Sequence, residues 1–163
     1  MRGRGLGSVV PGESSAEHAP GPGLPRAGLR VVPSVKGIVV AHGRLSEALV
    51  EAAEEITGMN AALVPLSNQG VSPADLKLNL AEAIGAGPAV VFVDLASGSC
   101  GFAASTALRS CSSVSVVTGV SLPMLIEFLF HRDLELPELV GRLVDKGRGN
   151  ISAVSSDRRD DGS

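Results

Sequence analysis

Between residues 35 and 154, continuous apolar runs alternate with stretches of helical period. VKGIVVA (35–41) is apolar and rich in β-branched residues, which predicts a strand buried on both faces. From Leu45 the apolar positions Leu45, Leu49, Ala52, Ala53 and Ile56 fall on one face of a helix, ended by Gly58. AALVPL (61–66) predicts a second strand, and Pro65 predicts an edge position for it, since proline cannot donate to a ladder. Ser72-Pro73 reads as an N-cap followed by proline in the first helical turn, opening a helix that runs to Ile84 and stops at the G-A-G-P turn. AVVFVD (89–94) predicts a third buried strand, followed by a loop, ASGSCG, and a short helix, FAASTALRS. VSVVTGV (114–120) predicts a fourth strand. Pro123 opens the helix MLIEFLF, whose Met124, Leu125 and Phe128 are core positions. Pro137 opens a last helix, ELVGRLVDKG, and ISAV (151–154) is a candidate edge strand.

This order is βαβαβαβα with buried strands, so the expected class is α/β: a doubly wound, mainly parallel four-stranded sheet with helices on both faces. The expected strand order is 2-1-3-4. The ends differ in composition. Gly and Pro fill 12 of the first 34 positions without periodicity, too little apolar area to offset the entropy of ordering them. The expectation is a disordered extension over 1–34, or a true translation start near Val31 or Val35. One folded domain follows over 35–154, and SSDRRDDGS (155–163) reads as a flexible tail.

Composition narrows the function. Aromatics are 2 % of 163 residues, with no Trp or Tyr, which argues against base-stacking platforms. The net charge of −3 gives no basic field toward nucleic acid or anionic membrane. Cys100 and Cys111 have no CxxC spacing and read as reduced thiols. No run is long enough to span a bilayer, and MRGRGLGSVVPGESS lacks the apolar core of a secretory signal, so a cytoplasmic protein is expected. No His, Cys or Glu cluster has metal-ligand spacing, so neither a metal nor a cofactor is expected.

The chemistry concentrates at two strand ends. Strand 1 ends in Ala41-His42-Gly43, and strand 3 ends in Asp94. Ligands of open α/β sheets bind outside the carboxyl ends of the strands, where the strand order reverses, here between strands 1 and 3. The fold itself therefore brings His42 and Asp94 together. A carboxylate that accepts one ring N–H fixes the imidazole tautomer and leaves the other nitrogen free to attack. The amino end of the helix after Gly43 offers unpaired N–H groups to a phosphate, and Ser97, Gly98 and Ser99 add hydroxyl and backbone donors. The carboxylate raises the imidazole pKa and the helix end lowers it. The plainer readings are a packed or capping histidine for His42, a loop-capping carboxylate for Asp94 and an ordinary turn for ASGSCG. Arg44 reads equally as a phosphate contact or a solvated helix start. His131 reads as a surface contact at a helix end, His18 as silent, and Cys100 as a small residue of the active loop.

Three segments resemble the mannose-type IIA component of the bacterial phosphoenolpyruvate:sugar phosphotransferase system. GIVVAHGRLSEALVEAAEEITG carries the histidine after strand 1. VVFVDLASGSCGFAAS is similar to the family's V-D-x-x-G-G-S-P-x-N-A segment, and VVTGVSLPMLIEFL to its G-V-N-x-P-M-L motif. They stand in the family's order across roughly 35–150. The resemblance implies a phosphotransferase acting in sugar transport. His42 would take phosphate from the carrier protein HPr and pass it to a IIB component, Asp94 would pair with His42, and Ser99 would help hold the phosphate. It also implies a homodimer with a C-terminal strand exchanged between subunits, for which ISAV is the candidate, and membrane contact only through a permease complex. The chain departs from the pattern at Ser97-Gly98-Ser99-Cys100, where the family has G-G-S-P, and the family's asparagine is absent. No IIB domain follows, so the acceptor would be a separate chain. A regulatory phosphorelay protein and a phosphotransfer subunit for dihydroxyacetone kinase are the alternatives. A hydrolase using Ser99 or Cys100 is disfavoured, because S-G-S-C-G does not match G-x-S-x-G.

Overall fold

The computed structural model describes residues 34–110 and 112–154. The expectations for 1–33 and 155–163, including a silent His18, lie outside these residues. The elements run β1 (Lys36–Ala41), α1 (Leu45–Thr57), β2 (Leu63–Ser67), α2 (Pro73–Ile84), β3 (Ala89–Val93), α3 (Gly98–Ser110), β4 (Val114–Thr118), α4 (Leu122–His131) and α5 (Leu136–Gly149). The sheet is parallel with order β2-β1-β3-β4, as expected from the alternation.

Alternation along β1 and β3 divides the core between two faces. Val39 and Phe92 point to one side, where they meet Val50 and Ala53 of α1, Leu125 and Phe128 of α4, and Leu139 and Leu143 of α5. The Phe92 and Phe128 rings meet edge to face, 5.5 Å apart. Ile38, Val40, Val91 and Val93 point to the other side, against Leu76, Leu80 and Ile84 of α2 and Cys100, Ala103 and Ala104 of α3. The sheet is therefore covered on both faces.

Local signals explain most boundaries. Ser72 Oγ accepts the Asp75 N–H at 3.1 Å and caps α2, whose first turn holds Pro73. Gly58 closes α1 in the left-handed region, at φ 69°. β2 sits at the sheet edge, the place Pro65 allows.

Three expectations are corrected. The buried face of α1 is Ser46, Val50 and Ala53, while Leu45 and Ile56 are exposed. The small residues let α1 lie close to the sheet, so the helix is turned relative to its apolar stripe. Second, α3 begins at Gly98 and takes in most of the ASGSCG segment read as a loop. Gly101 makes this approach feasible, because a Cβ there would overlap the Ala96 carbonyl. Third, residues 151–154 form no strand in the single chain and are exposed. Asn150 turns the chain out of α5, and Ile151 comes to the groove beside β4 without pairing to it.

Candidate functional site

β1 stops at Ala41 because the chain must turn into α1, and Gly43 makes that turn at φ 58°. His42 is thereby held at the carboxyl edge of the sheet. β3 ends one strand away, so Asp94 emerges beside it. Asp94 Oδ2 accepts both the His42 backbone N–H and the His42 ring at Nδ1, each at 2.9 Å. Asp94 Oδ1 accepts the Leu95 N–H at 2.8 Å. A carboxylate only accepts, so this bond places the ring proton on Nδ1 and leaves Nε2 with its lone pair. Burial pushes the Asp94 carboxyl up, but the bonds from the His42 backbone and ring and from Leu95 outweigh it, and its pKa lies below the ordinary value. Asp94 is ionised at neutral pH.

The His42 side chain is 43 % exposed, against 11 % for Asp94. Its Nε2 faces Gly98, the first residue of α3, where a Cβ would come within 3.7 Å of that nitrogen. Gly98 has φ 89° and no side chain to cover the imidazole. The first turn of α3 has N–H groups with no acceptor inside the helix. An anionic group held at Nε2 would therefore lie beside the positive end of α3.

The sequence-nominated residues come together here. His42, Gly43 and Asp94 stand at the ends of β1 and β3, and Gly98 and Ser99 open α3. Ser97 is exposed just before it. Arg44 is exposed at the N-cap of α1 without a side-chain cap bond, a solvated helix start. Cys100, expected as a loop residue, is fully buried in the first turn of α3, with Sγ 3.9 Å from His42 Nδ1. Burial and the charge of Asp94 push its thiol pKa up, so the thiol stays protonated. His131 lies away from the site. Its ring sits between Glu127 and Arg142 at the end of α4.

Sequence reasoning missed Asn68 and Ser67, at the end of β2. Asn68 Oδ1 accepts the Gly43 N–H at 3.3 Å, and Asn68 Nδ2 donates to Ser99 Oγ at 3.2 Å. Ser67 Oγ donates to the Gly43 carbonyl. Asn68 ties the turn after β1 to the start of α3, and Ser67 ties that turn to the end of β2. The strand order was the available signal, because it puts the carboxyl end of β2 next to that of β1.

Spacing along the chain also hid a ligand set. His42, Asp94 and Cys100 place one ligating atom each within 4.8 Å of one another, from three separate segments. Among the described residues no helix is long and apolar enough to cross a membrane.

The family model described as the PTS system fructose IIA component matches residues 36–143. A mannose/sorbose specific IIA subunit of the phosphotransferase system from Enterococcus faecalis is 29 % identical, with a TM-score of 0.65 over 76 % of this chain and 96 % of that one. Phosphotransferase system component EIIA from Streptococcus agalactiae shares the fold at 24 % identity, TM-score 0.68, over 73 % of this chain and 96 % of that one. So does a PTS IIA protein associated with the fucose utilization operon of Streptococcus pneumoniae, at 20 % identity and TM-score 0.65, over 74 % and 93 %. No curated protein matches the chain. The family match covers well over half of the 163 residues and includes both strand ends that carry His42 and Asp94, so the chain belongs to the mannose-type IIA components of the phosphoenolpyruvate:sugar phosphotransferase system.

Proposed function

We propose that this IIA component is a phosphohistidine carrier, taking a phosphoryl group from HPr on His42 Nε2 and passing it to a separate IIB protein. The observation that carries this reading is the 2.9 Å bond between His42 Nδ1 and Asp94, with Nε2 left open toward the start of α3. The Nε2 lone pair attacks the phosphorus of the donor's phosphohistidine. A new N–P bond forms as the donor's N–P bond breaks, and the donor imidazole leaves with its electron pair. The ring of His42 then carries positive charge, which ionised Asp94 offsets through Nδ1–H. The phosphoryl oxygens gain N–H donors from the first turn of α3 and the hydroxyl of Ser99, each charge-assisted bond being worth about 1.5–3 kcal/mol. The shared Asn68 bridge holds Ser99 and Gly43 at a fixed spacing for this purpose. Ser97 and Gly98 line the approach. Transfer to the IIB acceptor is the same displacement in reverse. The work belongs to a cytoplasmic domain over 35–154, and any membrane contact runs through a permease.

The same reading includes a homodimer in which residues 151–154 add to the partner's sheet beside β4. β4 is an open edge, and next to it lies a groove of about 430 Å³ whose lining includes Val117, Ser121, Met124, Val144 and Ile151. Ile151 and Val154 are 84 % and 98 % exposed, and Ser121 Oγ is buried without a partner among the described residues. A strand from a second copy would cover the apolar side chains and offer that hydroxyl a bond.

Incubation with phosphoenolpyruvate, enzyme I and HPr tests the carrier role. Wild-type protein becomes labelled in an acid-labile, base-stable form, and His42→Ala takes up no label. Label that survives acid, or that persists in His42→Ala, overturns the reading.

A further inference from the structure

We propose that His42 Nδ1, Asp94 Oδ2 and Cys100 Sγ form a binding site for a thiophilic divalent cation of the Zn²⁺ class, and that occupancy shuts down phosphoryl acceptance at His42. The second half rests on the phosphocarrier reading, and the first half does not. Imidazole, carboxylate and thiolate are the donor types of zinc sites, and a soft sulfur disfavours Mg²⁺ and Ca²⁺. Bond lengths of about 2.0–2.3 Å in a tetrahedron put neighbouring donor atoms about 3.3–3.7 Å apart. Here the nitrogen lies 2.9 Å from the carboxylate oxygen and 3.9 Å from the sulfur, and all three fall within 4.8 Å. Reaching tetrahedral spacing takes movements on the order of 1 Å, closing the wider pairs and opening the nitrogen–oxygen pair slightly.

The surroundings suit the role. The Leu95 N–H on Oδ1 and the His42 backbone N–H on Oδ2 hold Asp94 in place, and the Oδ2 lone pair that accepts the ring N–H faces the site once Nδ1 gives up its proton. Cys100 is held by its place in α3 and by the packing of that helix against β1 and β3. His42 is half-exposed, so the site has solvent on one side and water can fill a fourth position.

The balance of the step is simple. The Cys100 S–H bond breaks, its proton goes to solvent and a metal–sulfur bond forms. The Nδ1–H proton leaves through water as the metal–nitrogen bond forms, and Nε2 takes up one proton. The net loss is one proton, and a carboxylate plus a thiolate neutralise the two charges of the ion. Nε2 now bears hydrogen instead of a lone pair, so it cannot attack phosphorus. The metal and the phosphoryl group exclude one another through a single imidazole. Where the family has proline, this chain has the sulfur that makes a third ligand.

Cobalt(II) is the probe, added to the metal-free full-length chain. Wild type gives a thiolate-to-cobalt charge-transfer band that saturates at one equivalent and is displaced by Zn²⁺. Cys100→Ala loses the band, as does Cys100→Ser, which is closer in size should the alanine variant fold poorly. Asp94→Asn keeps a weaker band and binds about tenfold or more less tightly, and Cys111→Ser keeps it unchanged. Absence of the band in wild type, or its survival in both Cys100 variants, overturns the site. In a second arm, phosphorylation from phospho-HPr is followed with and without one equivalent of Zn²⁺. The metal slows wild type at least about tenfold, and the with-to-without ratio returns to near one in Cys100→Ser. Equal inhibition of both proteins overturns the blocking role. A wild type that takes no phosphate even without metal would sink the carrier reading and leave the cobalt result standing.

Discussion

One carboxylate grips His42 twice, through its backbone N–H and through its ring. Asp94→Ala removes both grips without opening the apolar core, because Asp94 stands above the last residue of β3. The expected outcome is phosphoryl transfer slowed on the order of 10²-fold, from loss of the fixed tautomer, with circular dichroism unchanged. Transfer at the wild-type rate would remove Asp94 from the mechanism. A second residue acts sterically. A Cβ at Gly101 meets the Ala96 carbonyl, a backbone atom that cannot step aside, whereas one at Gly147 meets the mobile end of Met124. Gly101→Ala should cost about 1–3 kcal/mol in urea denaturation and Gly147→Ala clearly less. At this scale His42 and Asp94 were legible, since each ends an apolar run and the fold rule joins those ends. Asn68 was not, because a lone asparagine after a weak strand carries no pattern of its own.

At the scale of elements, α4 and α5 are fastened by one acidic side chain. Glu127 accepts from Arg142 at 2.6 Å, lies 3.2 Å from His131 Nδ1, and has Lys146 at 3.6 Å. Burial pushes its carboxyl up, but the Arg142 bond and the charges of His131, Arg142 and Lys146 prevail, and the pKa falls below the ordinary value. A carboxyl lowered on folding contributes its full stability above the unfolded pKa and loses it as pH falls through the folded one. Glu127→Gln should therefore cost about 1 kcal/mol at neutral pH, since Arg142 and Lys146 are half-exposed and screened. The difference should vanish in acid; thermal melts of the two proteins across pH check this, and a gap that widens on acidification contradicts it. The helix starts at Ser72-Pro73, Pro123 and Pro137 were readable because capping and proline act locally. The rotation of α1 and the early start of α3 were not. Both depend on small residues, Ser46, Ala53 and Gly101, whose value lies in how closely a neighbour can approach.

For the molecule as a whole, the alternation of buried strands and helices was enough to give a parallel sheet covered on both faces, because parallel strands need crossovers and crossovers have one hand; the order β2-β1-β3-β4 is the common arrangement of a small doubly wound sheet, with the strand of Pro65 at an edge. The proposed exchange of residues 151–154 rests on family resemblance, as the single chain leaves them unpaired. A chain ending at Asn150 should elute as a monomer, and Ile151→Asp should shift the same equilibrium. Light scattering on the three proteins measures it, and a truncated chain that stays dimeric would remove the exchange.

Pro65 bears on how such an assembly can end. Asn68 donates inward to Ala41, so with a two-residue period Pro65 turns its nitrogen outward, away from β1. The ring thus takes a donor from the middle of the outer border of β2 and leaves β4 as the border with an uninterrupted row. Pairing of copies border to border is therefore disfavoured along β2 and left to the β4 flank.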